Sequence, residues 1–535
     1  FGRDRFADAG SSSPRRRMSR PITALLISLA TVSGRLIASI DQGTTSTRVI
    51  LFDEKAKNVA SHQMEHEQIY PKDGWCEHDP MTIVENTKTC LDKAVEKLEE
   101  SGGKAEDVVG IGITNQRETT IVWDKETGKP LHNAVVWLDL RTAELADELK
   151  AKYGGQDYFR ETCGLPISTY FSAVKLLWLM RNVPAVAEAI ANGKAMFGTI
   201  DTWLIWNLSG GVDGGVHVTD VTNAGRTMLM DLATCKWHEG TCSELGIPMS
   251  VLPAIKSCSE VYAKVVGTKL DGVPIAGCAG DQHAAMLGQA CLQPGMAKST
   301  YGTGCFMLMN VGEQPVPSTN GLLSTILFQL GPDAPVTYAL EGSVAIAGRA
   351  VQFLRDNLQL ITSAKEVEPL AREVESTEGV TFVPAFSGLF APYWRSDARG
   401  CIVGMTLYTT KAHLCRATLE AVALQAREVL DAMEADSGVK LSALQVDGGM
   451  TVNELLMQMQ ADFIQTPVRR PVDVETTAMG AAFAAGLAVG VWSSTDELTG
   501  LNPPDVSFDP AIGKDECDAK LVKWQDAIKR TFDLA

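Results

Sequence analysis

Aromatic residues, basic charge and long apolar runs are all scarce in this chain of 535 residues. Phe, Trp and Tyr make up 7% of it, and 48 Lys and Arg residues stand against 65 Asp and Glu, a net charge of −17. With 45% hydrophobic residues, the composition is globular and excludes disordered, collagenous and polytopic membrane architectures. An acidic chain offers no broad positive field to nucleic acid phosphates. We therefore expect no nucleic acid partner and no stable membrane insertion. Any anion that the protein binds must be held by a local site, such as a turn with free backbone N–H groups.

Several sites that depend on residue spacing are also missing. The 12 cysteines are scattered without zinc-finger or redox spacing, which favours a reducing, cytosol-like compartment. Ala297 stands where a P-loop requires Gly, and Met307 replaces the third Gly of a Rossmann fingerprint. His62 and His66 match a zinc-protease pattern, but four residues along an extended stretch separate them by about 13 Å, too far to share a metal.

The first 35 residues differ in character from the rest. An Arg- and Ser-rich run at 11–17 precedes an apolar stretch at 22–32 that is too short to span a bilayer. This composition is typical of a disordered or targeting extension. The interpretation we favour is a non-targeting tail on a cytoplasmic protein, and a mitochondrial transit peptide is the alternative.

Strand and helix patterns alternate from Leu36 onward, which predicts an α/β layered architecture. Apolar runs at 36–40 and 48–53 flank a hydroxyl-rich turn and predict a β-hairpin. A Gly/Thr turn beside an apolar strand recurs at 298–309. Two related halves are therefore predicted, an N-terminal domain over 36–290 and a C-terminal domain over 291–535.

Three turns have the chemistry to bind a nucleotide. In the first, glycine lets backbone N–H groups approach a phosphate while hydroxyls and a cation line the turn: Gly43, Thr44, Thr45, Ser46 and Arg48. The second turn is 302–304, and the third, 447–449, lies between a strand and a helix where a flat adenine ring can contact backbone. Each is also compatible with ordinary hairpin or β–α turn chemistry.

Charged residues at predicted strand ends suit a kinase reaction. Such a reaction needs one carboxylate to steer Mg²⁺ and another to accept a hydroxyl proton. Asp41 and Asp281 each lie beside a Gly turn, although either is also compatible with a helix cap or turn residue. Arg117 and Glu118 follow a buried strand, where they can clamp a polyol or form an exposed ion pair.

Taken in order, these blocks resemble the FGGY carbohydrate kinases of the actin/hexokinase/Hsp70-like ATPase superfamily, and among them the members that phosphorylate glycerol. The resemblance covers about residues 37–533 and rests on blocks at 40–48, 68–71, 74–75, 77–80, 115–119, 133–137, 280–282, 301–308 and 447–449. It implies an α/β fold of two ribonuclease H-like (actin-like ATPase) domains with a catalytic cleft between them.

The resemblance also implies an activity and its residues. The expected reaction is ATP-dependent phosphorylation of glycerol to sn-glycerol 3-phosphate, with Mg²⁺ accompanying ATP, in a homodimer or homotetramer. Asp281 would be the general base, and Asp41 would bind Mg²⁺ directly or through water. The residues expected at glycerol are Arg117, Glu118, Trp137, Tyr170, Asp281, Gln282 and Phe306. Those expected at the nucleotide are Thr44, Thr45, Ser46, Arg48, Gly302, Thr303, Gly348, Gln352, Gly449 and Asn453.

Two other functions remain open from the sequence. One is a kinase of the same family that acts on a longer polyol or a ketose, which the Arg117-Glu118 and Trp137 blocks disfavour. The other is a non-catalytic nucleotide-dependent switch on the same fold. A switch needs no polyol clamp, so the presence of Asp281, Arg117 and Glu118 disfavours it.

Overall fold

The computed structural model describes residues 34–386, 388–395 and 397–535, so residues 1–33 of the expected N-terminal extension lie outside the described residues. The strands are β1 (Leu36–Gln42), β2 (Ser46–Phe52), β3 (Asn58–Glu65), β4 (Glu77–His78), β5 (Val108–Asn115), β6 (Ile121–Asp124), β7 (Ala134–Val135), β8 (Ala195–Gly198), β9 (Val218–Asp220), β10 (Met230–Asp231), β11 (Lys236–Trp237), β12 (Ala254–Lys256), β13 (Ser259–Lys264), β14 (Pro274–Gly280), β15 (Met296–Tyr301), β16 (Cys305–Gly312), β17 (Leu323–Gln329), β18 (Val336–Val344), β19 (Thr381–Val383), β20 (Cys401–Val403), β21 (Ala443–Asp447), β22 (Val468–Pro471) and β23 (Pro504–Phe508). The helices are α1 (Pro80–Glu100), α2 (Ala143–Tyr153), α3 (Arg160–Cys163), α4 (Ser172–Asn182), α5 (Pro184–Ala191), α6 (Ile200–Leu208), α7 (Val221–Ala224), α8 (Glu239–Leu245), α9 (Asp281–Gly288), α10 (Gly348–Asp356), α11 (Val367–Arg372), α12 (Lys411–Ser437), α13 (Glu454–Ile464), α14 (Thr476–Ala488), α15 (Thr495–Leu498) and α16 (Lys514–Lys529). None of these helices combines the length and the apolar composition that a membrane crossing needs.

Two mixed sheets form the centre of the described chain. The first has the order β13-β14-β5-β1-β2-β3, and the second has the order β17-β18-β16-β15-β21-β22-β23. In the first, β1 pairs antiparallel with β2 and parallel with β5, and β14 lies parallel to β5. In the second, β15 pairs antiparallel with β16 and parallel with β21, and β22 lies parallel to β21. Since β3 is antiparallel to β2 and β18 is antiparallel to β16, the same five-strand pattern occurs twice, which confirms the expected pair of ribonuclease H-like units.

The first hairpin forms because β1 is buried on both faces. Leu36, Ala38 and Ile40 belong to the apolar cluster that includes α1, whereas Ile37 belongs to the cluster on the opposite face that includes α14. Successive side chains of a strand alternate between the faces of a sheet, so a continuous apolar run indicates that helices cover both faces. The predicted turn is shorter than its polar sequence, because β1 continues to Gln42 and β2 begins at Ser46.

Helices α9 and α14 lie between the two sheets and interlock the halves. Although α14 lies between β22 and β23 of the second sheet in sequence, it packs against β1, β5 and β14 of the first, while α9 contacts β15, β16 and β17 of the second. The two helices touch through backbone. A Cβ added to Gly480 would lie 1.7 Å from the Ala284 carbonyl oxygen, and one added to Gly288 would lie 1.9 Å from the Thr476 oxygen.

We expect Gly480→Ala to lower the free energy of unfolding by about 3 kcal/mol, because backbone on both sides must separate to admit one methyl group. Gly513→Ala is the matched control, since Gly513 has a φ of −72° and no atom within 4 Å of its Cβ position. Urea unfolding of both variants measures the effect. Equal midpoints for the two variants would show that the helices do not pack this closely.

Candidate active site

Three motifs that are distant in sequence meet at one edge of the first sheet. In the register of the parallel strands β1, β5 and β14, Asp41 pairs with Thr114, and Asn115 pairs with Gly280. Beyond these ends the chain continues into the hydroxyl-rich turn, the arginine–glutamate clamp and Asp281, the first residue of α9. The carboxyl edge of parallel strands is where open α/β sheets bind ligands, so the register alone brings the predicted chemistry together.

A buried network of four charges surrounds the clamp. Arg117 donates from Nη1 and Nη2 to the carboxylate of Glu341, at 2.6 and 2.9 Å, and its Nε lies 3.4 Å from Asp281 Oδ1. Arg226 donates from Nε to Glu118 and from Nη1 to Glu341, the latter at 3.2 Å. Because Glu341 lies on β18, the second half supplies the counter-charge that holds the clamp of the first.

Burial gives this network its strength. Arg117 is 3% exposed and Glu118 is 1% exposed. The alternative that these two residues form an exposed ion pair is therefore excluded. Burial alone would raise the pKa of Glu341, but the guanidiniums of Arg117 and Arg226 hold that pKa at about 2. Two cations therefore balance two carboxylates, which is the condition for keeping charges away from water.

The backbone at the clamp is strained and tightly packed. Glu118 has a φ of 59°, a left-handed conformation that is uncommon outside glycine, and its carbonyl oxygen accepts hydrogen bonds from Thr120 Oγ1 and Ser172 Oγ at 3.0 Å. A Cβ added to Gly280 would lie 2.7 Å from Cγ of Arg117. Strain of this kind persists only where the surroundings hold it, and it concentrates at functional sites.

An aromatic wall stands beside the charged network. The Trp137 ring lies 5.7 Å from the Tyr170 ring and 6.3 Å from the Phe306 ring, both edge-on. Trp137 Nε1 donates to Thr44 Oγ1 at 3.0 Å, so the wall reaches the first turn. Phe306 comes from β16 of the second half, which brings the two hairpins to the same site. Carbon atoms of a small ligand can pack against this wall while its hydroxyls face the charges.

Asp281 lies in the cleft with one third of its side chain exposed. Desolvation raises the pKa of Asp281 above its usual 3.8, and the charges of Arg117 and Lys298 act in the opposite sense. Lys298 donates from Nζ to Gln282 Oε1 at 2.5 Å and to Thr300 Oγ1 at 2.6 Å, and burial lowers the pKa of Lys298. Sequence reasoning missed Lys298, because its strand also contains Ser299 and Thr300, so the pattern does not identify the lysine as buried.

Arg48 forms hydrogen bonds both to Asp41 and to Glu475 of the second half. Arg48 Nη2 lies 3.0 Å from Asp41 Oδ2, while Nη1 donates to Glu475 Oε1 at 2.8 Å, just before α14. Burial raises the pKa of Asp41, and the charge of Arg48 opposes that shift. Arg48 therefore spans the two halves beside the expected metal-binding carboxylate.

The predicted nucleotide residues of the second half lie around one turn. The carbonyl oxygens of Gly302 and Thr303 accept from the N–H groups of Gly348 at 3.0 Å and Arg349 at 3.1 Å, so this turn meets the beginning of α10. A Cβ added to Gly348 would lie 2.6 Å from the Gly302 oxygen and 3.3 Å from Sδ of Met450, whereas one added at Gly449 would meet no atom within 4 Å. Gly348 is therefore packed tightly against the Gly302-Thr303 turn, while the backbone at Gly449 forms an open surface.

The two remaining predicted residues lie on the helices that border this surface. Gln352 is one turn along α10 and accepts from Arg349 Nη1 at 3.0 Å. Asn453 caps α13, where its Oδ1 accepts from the Leu456 N–H at 2.9 Å. The predicted nucleotide residues of the first half therefore lie in the first hairpin, and those of the second half lie in the 302–304 turn, on α10, and between β21 and α13.

Known proteins resemble this chain along most of its length. The N-terminal domain model of the FGGY family of carbohydrate kinases matches residues 36–288, and the C-terminal domain model matches residues 297–489. A glycerol kinase of Arabidopsis thaliana is 56% identical over 512 residues, covering 93% of this chain and 98% of that protein. A glycerol kinase of Brucella anthropi is 54% identical over 498 residues, with 93% and 99% covered.

A solved structure shows the same architecture. Glycerol kinase of Plasmodium falciparum, crystallised with ADP, superposes with a TM-score of 0.89 at 43% identity, covering 93% of this chain and 98% of that one. This superposition agrees with the doubled sheet, and each of the two family models matches one half of the chain. The chain belongs to the FGGY family of carbohydrate kinases.

Proposed function

We propose that this chain is an ATP:glycerol 3-phosphotransferase that converts glycerol to sn-glycerol 3-phosphate. The observation that carries the proposal is the buried clamp of Arg117 and Glu118, held beside Asp281 and an aromatic wall at the edge of the first sheet. The 54–56% identity to glycerol kinases over 93% of the chain supports glycerol as the acceptor.

In this proposal, the charged side chains bind the hydroxyls of glycerol. Glu118 and Asp281 accept hydrogen bonds from hydroxyl groups, and Arg117 and Gln282 add further polar contacts. Trp137, together with the other two rings of its wall, covers the carbon skeleton. Polar contacts on one side and rings on the other orient a small triol, and orientation supplies much of the rate of a bimolecular transfer.

Asp281 accepts the proton of the attacking primary hydroxyl. Its position at the open face of the network leaves the carboxylate accessible, while Arg117 on one side fixes its direction. The turn of the first hairpin, with Thr44, Thr45 and Ser46, and the Gly302-Thr303 turn bind the phosphates from the opposite side. The γ-phosphoryl group then lies in line between donor and acceptor, and the closed cleft excludes water as a competing acceptor.

The residues present suit a magnesium ion bound with ATP. Mg²⁺ is usually held by one or two carboxylates together with the substrate's phosphates and several waters, and Asp41 lies at the turn expected to bind those phosphates. Asp41 would hold the ion directly or through water. When bound, the ion would neutralise charge on the transferring phosphoryl group. The cytoplasmic location and the homo-oligomer remain predictions from the sequence.

A substrate comparison tests the proposed function. ADP release by the full-length protein with MgATP is measured with glycerol, dihydroxyacetone, erythritol, xylulose and ribulose. One extra carbon in an apolar pocket is worth about 10- to 200-fold in kcat/KM, so we expect glycerol to exceed erythritol by at least about tenfold. A higher kcat/KM for a longer substrate than for glycerol would show that the clamp of Arg117 and Glu118 binds that substrate instead. ADP release that none of the acceptors stimulates would favour the non-catalytic nucleotide switch.

We expect kcat/KM for glycerol to fall at low pH, tenfold per pH unit, with an apparent pKa above 3.8. The active form has Asp281 ionised, and the raised pKa of Asp281 moves its protonation to a higher pH than usual. The negative charge of Asp41 contributes to the raised pKa of Asp281, so the two carboxyl groups titrate together. The apparent pKa of the kcat/KM profile therefore belongs to the pair. Circular dichroism at each pH shows whether the protein stays folded. A constant kcat/KM down to pH 4 in folded protein would contradict the assignment.

A further inference from the structure

The turn between β1 and β2 has its carbonyl oxygens tied inward by amide side chains. Gln68 Nε2 donates to the Thr44 oxygen at 2.8 Å. Gln42 and Gln116 donate from Nε2 to the Gly43 oxygen, at 2.8 and 3.1 Å. The Gly43 and Thr44 carbonyl oxygens therefore point to the side of the turn that these three amides occupy.

The opposite side of the turn consists of unused donors. Among the described residues, no hydrogen-bond partner is present for the backbone N–H groups of Thr44 and Thr45. Thr45 is exposed and Thr44 partly exposed. Successive free N–H groups in a turn form an anion-binding concavity, but only while the carbonyls of the same peptides face the other way. The inward hydrogen bonds therefore determine whether the turn can bind phosphate.

His78 links two of these amides from outside the hairpin. It is completely buried, with Nε2 2.8 Å from Gln68 Oε1 and Nδ1 3.3 Å from Gln116 Nε2. Burial, with His66 as a lesser contributor, lowers the pKa of His78 to about 3, so its ring is neutral at ordinary pH. The network assigns the proton to Nε2, which donates to Gln68, while Nδ1 accepts from Gln116.

This tautomer fixes which end of the Gln68 amide faces the turn. Because Oε1 of Gln68 accepts from His78, its Nε2 is directed to the Thr44 oxygen. Gln116 does not depend on the ring in the same way, since its Oε1 accepts from Thr119 Oγ1 at 2.9 Å and its Nε2 donates to Gln42 Oε1 at 3.0 Å. Without the ring, the Gln68 amide can rotate and present its oxygen to the Thr44 oxygen.

We propose that His78 is a positioning residue for nucleotide binding: acting through Gln68, it holds the first hairpin turn with its N–H groups toward the phosphates. The inference rests on the proposed function in that the phosphates are those of ATP and ADP. His78 itself touches neither substrate, and it adds nothing to the glycerol clamp.

The test compares nucleotide and glycerol parameters in His78→Phe, which keeps a flat ring but has no ring nitrogen. We expect the KM for MgATP and the Kd for ADP to rise about tenfold, the effect of losing one to two net hydrogen bonds, with the KM for glycerol within about twofold of wild type. His78→Gln keeps a donor and an acceptor and should recover most of the affinity. His62→Phe on β3 is the control, since His62 is partly exposed and outside the network.

Gln68→Leu provides a second test if His78→Phe fails to fold. Gln68 is only half-buried, and its loss frees the Thr44 oxygen without emptying the core. Unchanged ADP affinity in a folded variant, or an equal rise in the KM values of both substrates, would overturn the proposal. Calorimetric titration with ADP needs no acceptor, so the result stands apart from whether glycerol is the substrate.

Discussion

Replacing Asp281 by Asn is expected to lower kcat by about 10²- to 10⁴-fold, the usual contribution of a general base. Asparagine has nearly the same shape, so the contacts with Arg117 and the beginning of α9 are retained while the proton acceptor is lost. The kcat of purified protein with saturating MgATP and glycerol measures the effect. Affinity for ADP should remain within about twofold of wild type, because the nucleotide turns are unchanged.

Asp515→Asn is the matched control for the Asp281 variant. Asp515 also lies in the first turn of a helix, α16, but its side chain is exposed and it is not among the residues expected at glycerol or at the nucleotide. If the carboxylate of Asp281 only supports its helix, the two variants will behave alike. Turnover of Asp281→Asn within tenfold of wild type would exclude the base assignment.

Replacing Glu341 by Leu should cost about 3–5 kcal/mol of stability, the range found when one partner of a buried ion pair is removed. Arg117 and Arg226 would then share a single buried counter-charge, Glu118. We also expect the KM for glycerol to rise by more than tenfold, because Arg117 loses both hydrogen bonds that orient its guanidinium. Urea unfolding and steady-state kinetics measure the two effects.

An exposed ion pair gives the contrast for Glu341. Glu148 and Arg181 lie 2.7 Å apart, but both side chains are more than half exposed, so Glu148→Leu should change stability by less than about 1 kcal/mol. The pKa of Glu341, about 2 against a usual 4.5, gives its ionised form a stabilising effect above pH 4.5 that is lost as pH falls toward 2. Equal losses of stability in Glu341→Leu and Glu148→Leu would show that the buried arginines do not depend on the charge of Glu341.

Local patterns in the sequence predicted much of the site. The hairpin at Asp41, the repeated hairpin near residue 300 and the helix that begins at Asp281 each depend on a short stretch of chain: an apolar strand, a Gly turn or a helix start. The register of parallel strands then aligns these ends. The family resemblance placed Trp137, Tyr170 and Phe306 among the residues expected at glycerol, and the structure brings their three rings together.

The partners of the clamp could not be predicted in this way. Glu341 lies in the second half, 224 positions from Arg117, and no local rule assigns a charge in one half to a charge in the other. The packing of α14 on the first sheet has the same character, since it depends on Gly480 meeting Ala284 across the halves. Both features arise from how the two units interlock, which is tertiary information.

The most direct test of the central claim is a phosphorus NMR measurement of the full-length protein with MgATP and glycerol. The proposed function predicts that the γ-phosphate signal of ATP is replaced, one for one, by the phosphomonoester signal of sn-glycerol 3-phosphate. Conversion of ATP to ADP and inorganic phosphate with glycerol unchanged would contradict it, because the clamp, the wall and Asp281 would then hold no acceptor.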